Sequence, residues 1–212
     1  MPTDLLGVLN LASFAAFAIG AVMTSRHYRP DIIGAYIVAV ATAFGGGVMR
    51  DAILGIPAQG PRDPIALLTV FLAASAAMLL PRAFARWASA VDTIDAIGIG
   101  LFNAAGMAIA WSHGAHPALV LLLGSVTAAG GGILRDVLLG RMPIVMQQST
   151  LYITACLLGG ALGMTVRQAG AGDDAVGLTI LVATTGIRLL AMRFGWTLVA
   201  INARRQDSPG AG

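Results

Sequence analysis

The sequence predicts an all-α membrane protein: seven transmembrane helices, laid out as two inverted three-helix repeats followed by a seventh helix. Three observations lead there. The 212 residues are 57% hydrophobic and only 11% charged, with a mean hydropathy of +0.82, too little charge to cover a water-soluble globule of that size. The apolar residues fall into seven charge-poor stretches, near the length that crosses about 30 Å of hydrocarbon. An eleven-residue motif also appears twice, 85 residues apart.

Taken in order, the spans are expected at about 5–25, 32–54, 64–80, 92–111, 117–139, 148–166 and 175–193. Pro30, Pro64 and Pro117 stand at or just before three starts, where a missing amide costs little. Arg26–Pro30, Gly60–Pro64 and Gly170–Asp174 read as loops. Arg188 interrupts the seventh stretch, which makes it the least regular. The first stretch lacks a basic leader and is long enough to span, so a spanning helix is expected there and not a secretory signal. The corresponding units are 1–86, 87–170, a seventh helix within 171–200, and a short tail, 201–212.

Charge gives the orientation. All 13 basic residues are Arg and all ten acids are Asp. Arg26, Arg29, Arg82, Arg86, Arg141, Arg204 and Arg205 share one side, whereas Arg62 and Arg167 lie on the other with Asp4, Asp63, Asp173 and Asp174. Positive loops stay cytoplasmic. The N-terminus is therefore expected outside and the C-terminus inside. In a soluble protein the pI of 9.8 would suggest nucleic acid; here the arginines flank apolar spans and set topology instead, so no nucleic-acid partner is expected. Cys156 is the single cysteine, which excludes an intrachain disulfide, a CxxC redox pair and a cysteine zinc cage.

The repeat carries the functional argument. Residues 45–55 read GGGVMRDAILG and residues 130–140 read GGGILRDVLLG, identical at seven of eleven positions. Phe17 and Phe102 keep the same spacing, as do Thr42 and Thr127. Three spans is an odd number, so the second unit enters from the opposite side and the repeat is inverted. A glycine inside a helix costs about 1 kcal/mol relative to alanine. Gly45, Gly46, Gly47, Gly130, Gly131 and Gly132 must therefore serve close helix packing, or mark helices 2 and 5 as broken, with backbone groups facing a polar cavity. Two copies, each followed by Arg-Asp, favour the broken helix. Arg50, Asp51, Arg135 and Asp136 are charges at membrane depth, on the order of 3 kcal/mol each even on permissive scales. Either each pair sits near a span end and snorkels or caps locally, or the two pairs meet across the pseudo-dyad and line a pathway. A mixed role is expected, the Asp locking the helix and the Arg facing the cavity.

The duplicated GGG-x-x-RD-x-x-x-G motif, the three-plus-three-plus-one layout and the tail from Arg188 to Trp196 resemble the prokaryotic trimeric intracellular cation (TRIC) channel family. It overlaps the bacterial inner-membrane family whose domain is labelled a glycine transporter. The resemblance covers roughly residues 5–200. It implies a homotrimer in a prokaryotic inner membrane, in contact with lipid, with a potassium-permeable pore in each protomer. It implies no cofactor beyond the permeant potassium ion, and spans 2 and 5 kinked at their glycine triplets. Animal members carry lysine-bearing sites and a basic tail linked to phosphoinositide and calcium control; this lysine-free chain departs from them there.

Other polar residues rank lower. Thr42 and Thr127 precede the triplets by three residues, where a hydroxyl could face the break. Ser13, Asn103 and Ser125 are expected to bond a backbone carbonyl or a neighbouring helix. Asp92 and Asp95 open span 4 as helix-start acids, with Asp95 a candidate for a pore mouth. Arg188 would pair or snorkel. His113 and His116 have no cysteine or acid cluster beside them, which argues against a metal site. No nucleophile–base motif or phosphate loop is present to suggest an enzyme. What remains is a passive cation channel or, alternatively, a secondary transporter of glycine or another small zwitterion.

Overall fold

The computed structural model describes residues 5–80, 88–147 and 151–197. The side chain of Asp92 lies outside the described residues, as do Asp4, Arg82, Arg86, the expected start of span 6 at 148, and the whole 201–212 tail with Arg204 and Arg205. Seven α-helices fill the described residues: α1 Leu5–Ser25, α2 Ile32–Leu54, α3 Pro64–Leu79, α4 Ala88–Ser112, α5 Pro117–Leu138, α6 Tyr152–Gln168 and α7 Asp173–Phe194.

Local chemistry explains where they begin and end. Asp31 caps α2 by accepting from the Gly34 amide at 2.6 Å, and Asp63 caps α3 by accepting from Ile65 at 2.9 Å. Pro64 and Pro117 occupy first-turn positions of α3 and α5. Gly55 ends α2 in the left-handed conformation at φ 69°. α4 begins a turn earlier than the 92 expected from sequence, and α7 runs through Arg188 without a break. The stretches 32–54, 93–112, 117–138 and 173–194 are long and apolar enough to cross a membrane. At 16 and 17 residues, α3 and α6 reach only about 24–26 Å at 1.5 Å per residue.

At the centre α2 packs on α5, flanked by α1 against α2 and by α4 against α5. α3 closes on α1, while α7 is inserted between α4 and α6. Phe17 of α1 meets Phe102 of α4 edge-on, ring centres 4.7 Å apart, and Phe14 bridges Phe44 and Phe102 at 5.0 and 5.5 Å. A second cluster, around Met107, Leu123 and Ile180, joins α4, α5 and α7. Ile32, Ile33, Ile37, Leu68, Leu72 and Val182 point outward, the apolar exterior that a lipid solvent permits. Lipid tails are as apolar as leucine, so these helices associate through close packing and internal hydrogen bonds.

Candidate functional site

Both glycine triplets lie inside uninterrupted α-helix, because α2 is helical from Ile32 to Leu54 and α5 from Pro117 to Leu138. The break expected in helices 2 and 5 is not there. The glycines serve contact instead. A Cβ added at Gly46 would overlap the Thr127 carbonyl oxygen, and one added at Gly131 would overlap the Thr42 carbonyl oxygen. At Gly130 it would sit 2.8 Å from the Gly46 Cα, and at Gly45 it would run into the Leu134 side chain. Such an approach leaves room only for a Cα–H facing a carbonyl. Sequence periodicity could not distinguish packing from a break, because the distinction depends on what stands across the interface.

The contacts 42 to 131 and 46 to 127 are reciprocal, so α2 and α5 cross antiparallel at equivalent positions. Thr42 Oγ1 donates to the Val38 carbonyl and Thr127 Oγ1 to the Leu123 carbonyl, each at 2.6 Å. Each hydroxyl donates within its own helix. The third glycine differs from the first two. A Cβ at Gly47 would rest 3.7 Å from Arg50 Nη2, and one at Gly132 would rest 3.8 Å from Arg135 Nη2. This position lies under the arginine of its own helix.

Arg50 and Asp51 are 5% and 1% exposed, and Arg135 and Asp136 are 7% and 1% exposed. Each arginine turns back to its own neighbour. Arg50 gives Nε and Nη2 to Asp51 Oδ1 at 2.8 and 2.7 Å, and Arg135 gives Nε to Asp136 Oδ1 at 2.8 Å. The carboxylates also tie down the following loops: Asp51 Oδ2 accepts from the Gln59 amide at 2.9 Å, and Asp136 Oδ2 from Ile144 at 3.0 Å. The two Arg-Asp pairs do not meet across the helix crossing. They sit beyond it on opposite ends, because the two helices run antiparallel, and a flexible arginine stem readily spans the 100° between adjacent helix positions.

Around Arg135 the structure gathers residues that the motif alone did not indicate. Arg141 donates Nε and Nη2 to Asp136 Oδ1 at 3.0 and 2.6 Å. A small pocket between α1, α4 and α5 is lined by Phe17, Gly20, Asp95 and Arg135. Next to it Tyr152 is buried, with the Arg188 guanidinium 4.8 Å from its ring centre. Asp95, Arg188 and Tyr152 come from three helices, and only folding unites them.

Asn103 is fully buried and links three helices, donating Nδ2 to the Cys156 carbonyl at 2.9 Å and to Thr184 Oγ1 at 3.0 Å. Ser125 bonds the Leu121 carbonyl at 3.1 Å. Ser13 is buried in α1, and His116 caps α5 through its Nδ1. Asn103 thus joins α4 to α6 and α7, while Ser125 and His116 bond within or cap their own helix.

The family model described as "Glycine transporter" matches residues 7–82 and 92–168. A UPF0126 membrane protein of Vibrio cholerae is 32% identical over 202 residues, covering 93% of this chain and 83% of that protein. The UPF0126 inner membrane protein YadS of Escherichia coli is 31% identical over 194 residues, covering 88% and 91%. A structure reported as "Structural basis for conductance through TRIC cation channels" superimposes with a TM-score of 0.86 at 27% identity, over 94% of this chain and 98% of that one. The TRIC trimeric intracellular cation channel orthologue from Rhodobacter sphaeroides gives 0.80 at 28% identity, over 91% and 99%. These relatives are membrane proteins and channels.

Proposed function

The chain belongs to the membrane-protein family described as glycine transporters, and from that premise we propose that it is a potassium-permeable monovalent cation channel with a pore inside each protomer of a homotrimer. The observation that supports this most is the likeness to bacterial TRIC channel structures, which runs over nearly the whole chain. It acts in the inner membrane of a prokaryote, as the name of the Escherichia coli relative suggests. The units 1–86 and 87–170 form inverted repeats about an axis in the membrane plane, a reading supported by the antiparallel, reciprocal crossing of α2 and α5. The helix within 171–200 stands outside the duplication. The N-terminus faces outward and the C-terminus inward, following the arginine asymmetry.

Within each protomer, the glycine triplets and the Thr42 and Thr127 carbonyls set how closely α2 and α5 approach, and so fix the pore wall. Arg50–Asp51 and Arg135–Asp136 hold its two ends. The gate lies at the pocket where Asp95 and Arg135 face α1. A carboxylate there attracts a cation and the guanidinium repels it, so passage requires Arg135 to move aside. Arg188 on Tyr152 backs this gate, while Asn103 and Ser125 position the helices around it.

The family's description favours a second reading, transport of glycine or a similar zwitterion. Because α2 and α5 are continuous, no half-helix amides are exposed at the triplets to hold a carboxylate. That role would fall to Arg135, with Asp95 as partner for the ammonium. Purified protein in liposomes, assayed in parallel for potassium flux and labelled glycine uptake, separates the two. The channel reading expects potassium flux that does not depend on glycine, and altered flux in Arg135→Ala. Saturable glycine uptake without potassium flux, abolished in Arg135→Ala, overturns it.

A further inference from the structure

A cavity of about 170 Å³ opens between α4, α6 and α7, at the end of the bundle where α4 finishes and α7 begins. Its depth is apolar, formed by Ala104, Ala108, Val176 and Ile180, and its mouth carries Trp111, Arg167 and Asp173. The Arg167 guanidinium lies 4.7 Å from the centre of the Trp111 ring and donates to Asp173. From Ala104 to Trp111 the wall follows two turns of α4, roughly 10 Å at 1.5 Å per residue. The polar end therefore stands at headgroup level, where tryptophan and arginine settle, while the apolar end reaches into the hydrocarbon.

We propose that this cavity is a binding site for a membrane aminophospholipid, phosphatidylethanolamine in class, with its phosphate on Arg167, its ammonium on Asp173 and an acyl chain along the apolar wall. Charge complementarity selects this occupant. Arg167 spends one N–H on Asp173 and has four more to offer a phosphate. The carboxylate oxygen of Asp173 not bound to Arg167 belongs to a side chain 77% exposed, which a primary ammonium can reach and donate to. Asp174 adds a second negative charge at the start of α7. A purely anionic headgroup gains the arginine but meets two acids. A choline headgroup has the charge but no N–H to donate. The proposal is independent of whether the protein conducts potassium or carries glycine.

Trp111 supplies the test. The chain has three tryptophans, so Trp87→Phe, Trp196→Phe leaves Trp111 as sole emitter. This protein is reconstituted in vesicles containing phosphatidylethanolamine, phosphatidylcholine or phosphatidylglycerol with brominated chains, and quenching is compared. Brominated phosphatidylethanolamine is expected to associate beside Trp111 about threefold more strongly than the other two, the scale of one partly exposed ion pair. Asp173→Asn, at an exposed position that leaves the fold intact, should bring that ratio to near one, and Arg167→Gln should do the same. Equal quenching by all three lipids overturns the proposal. So does an unquenched Trp111, which would mean that another copy of the chain covers the cavity. A preference erased by millimolar soluble glycerophosphoethanolamine also overturns it, in favour of a free zwitterion.

Discussion

The ends of α2 and α5 carry the same motif and make the same backbone ties, yet their electrostatics differ. In the first copy Arg50 closes its fork on Asp51 through Nε and Nη2. In the second, Arg141 takes that place on Asp136 with its own Nε and Nη2, and Arg135 keeps only its Nε bond there. At the 85-residue spacing the counterpart of Arg141 is Ile56, that of Asp95 is Asn10, and that of Tyr152 is Leu67. The interactions present in both copies hold helix to loop and helix to helix. Of the charges that the second copy alone carries, Arg141 bonds Asp136 and Asp95 lines the pocket beside α1 with Arg135. The repeated motif keeps the same backbone ties at both ends, and the charge around its arginine differs between them.

The strongest challenge to that contrast removes a carboxylate from each copy. Asp136→Asn strands two arginines and weakens the tie to the Ile144 amide, whereas Asp51→Asn strands one. Breaking a buried ion pair costs about 3–5 kcal/mol, and Asp136→Asn is expected to stand at the upper end. Thermal unfolding in detergent, followed by circular dichroism, measures both; equal losses would mean that Arg141 contributes nothing.

A smaller effect tests what the copies share. Gly46→Ala and Gly131→Ala each place a methyl against a backbone carbonyl of the opposite helix, a clash expected to cost about 1–3 kcal/mol. The two losses should match in the same unfolding measurement, because the contacts are reciprocal. A clear difference between them would end the symmetry argument.

Arg141→Ile installs the first copy's residue in the second. Arg141 is 30% exposed at its side chain, so the stability change should be no more than about 1 kcal/mol. Arg135 is then expected to close on Asp136 as Arg50 does on Asp51, drawing it from the pocket and raising potassium flux in liposomes. Unchanged flux would detach Arg135 from the gate.

The smallest expected effect is at the third glycine. Gly47→Ala and Gly132→Ala meet nothing closer than the arginine tips at 3.7 Å and the Tyr152 hydroxyl at 3.6 Å. They should therefore be tolerated, and helix propensity gives up to about 1 kcal/mol of stabilisation. Loss of fold in either variant, measured by the same unfolding assay, would show that the third position also packs.

Much of this was legible beforehand. Pro30, Pro64 and Pro117 announced three helix starts, and apolar length located all seven helices. The 85-residue repeat identified the glycines, threonines and Arg-Asp pairs that meet at or flank the central crossing. What the sequence did not disclose was how those residues are used. The triplets read as breaks because glycine disfavours a helix on its own, and the opposing carbonyls that reward it belong to a helix 85 residues away.

By itself the sequence determined the number of helices, their approximate ends and the repeated motif, because these depend on residues near one another in the chain: first-turn prolines, apolar runs and repeated words. Only the tertiary structure decided that α2 and α5 remain whole, that each arginine turns to its own aspartate, and that Asp95, Arg135, Tyr152 and Arg188 share one side of the molecule. Those outcomes depend on which surfaces face each other across the bundle. In lipid, where apolar burial discriminates little between partners, that choice falls to steric fit and to the satisfaction of buried charge.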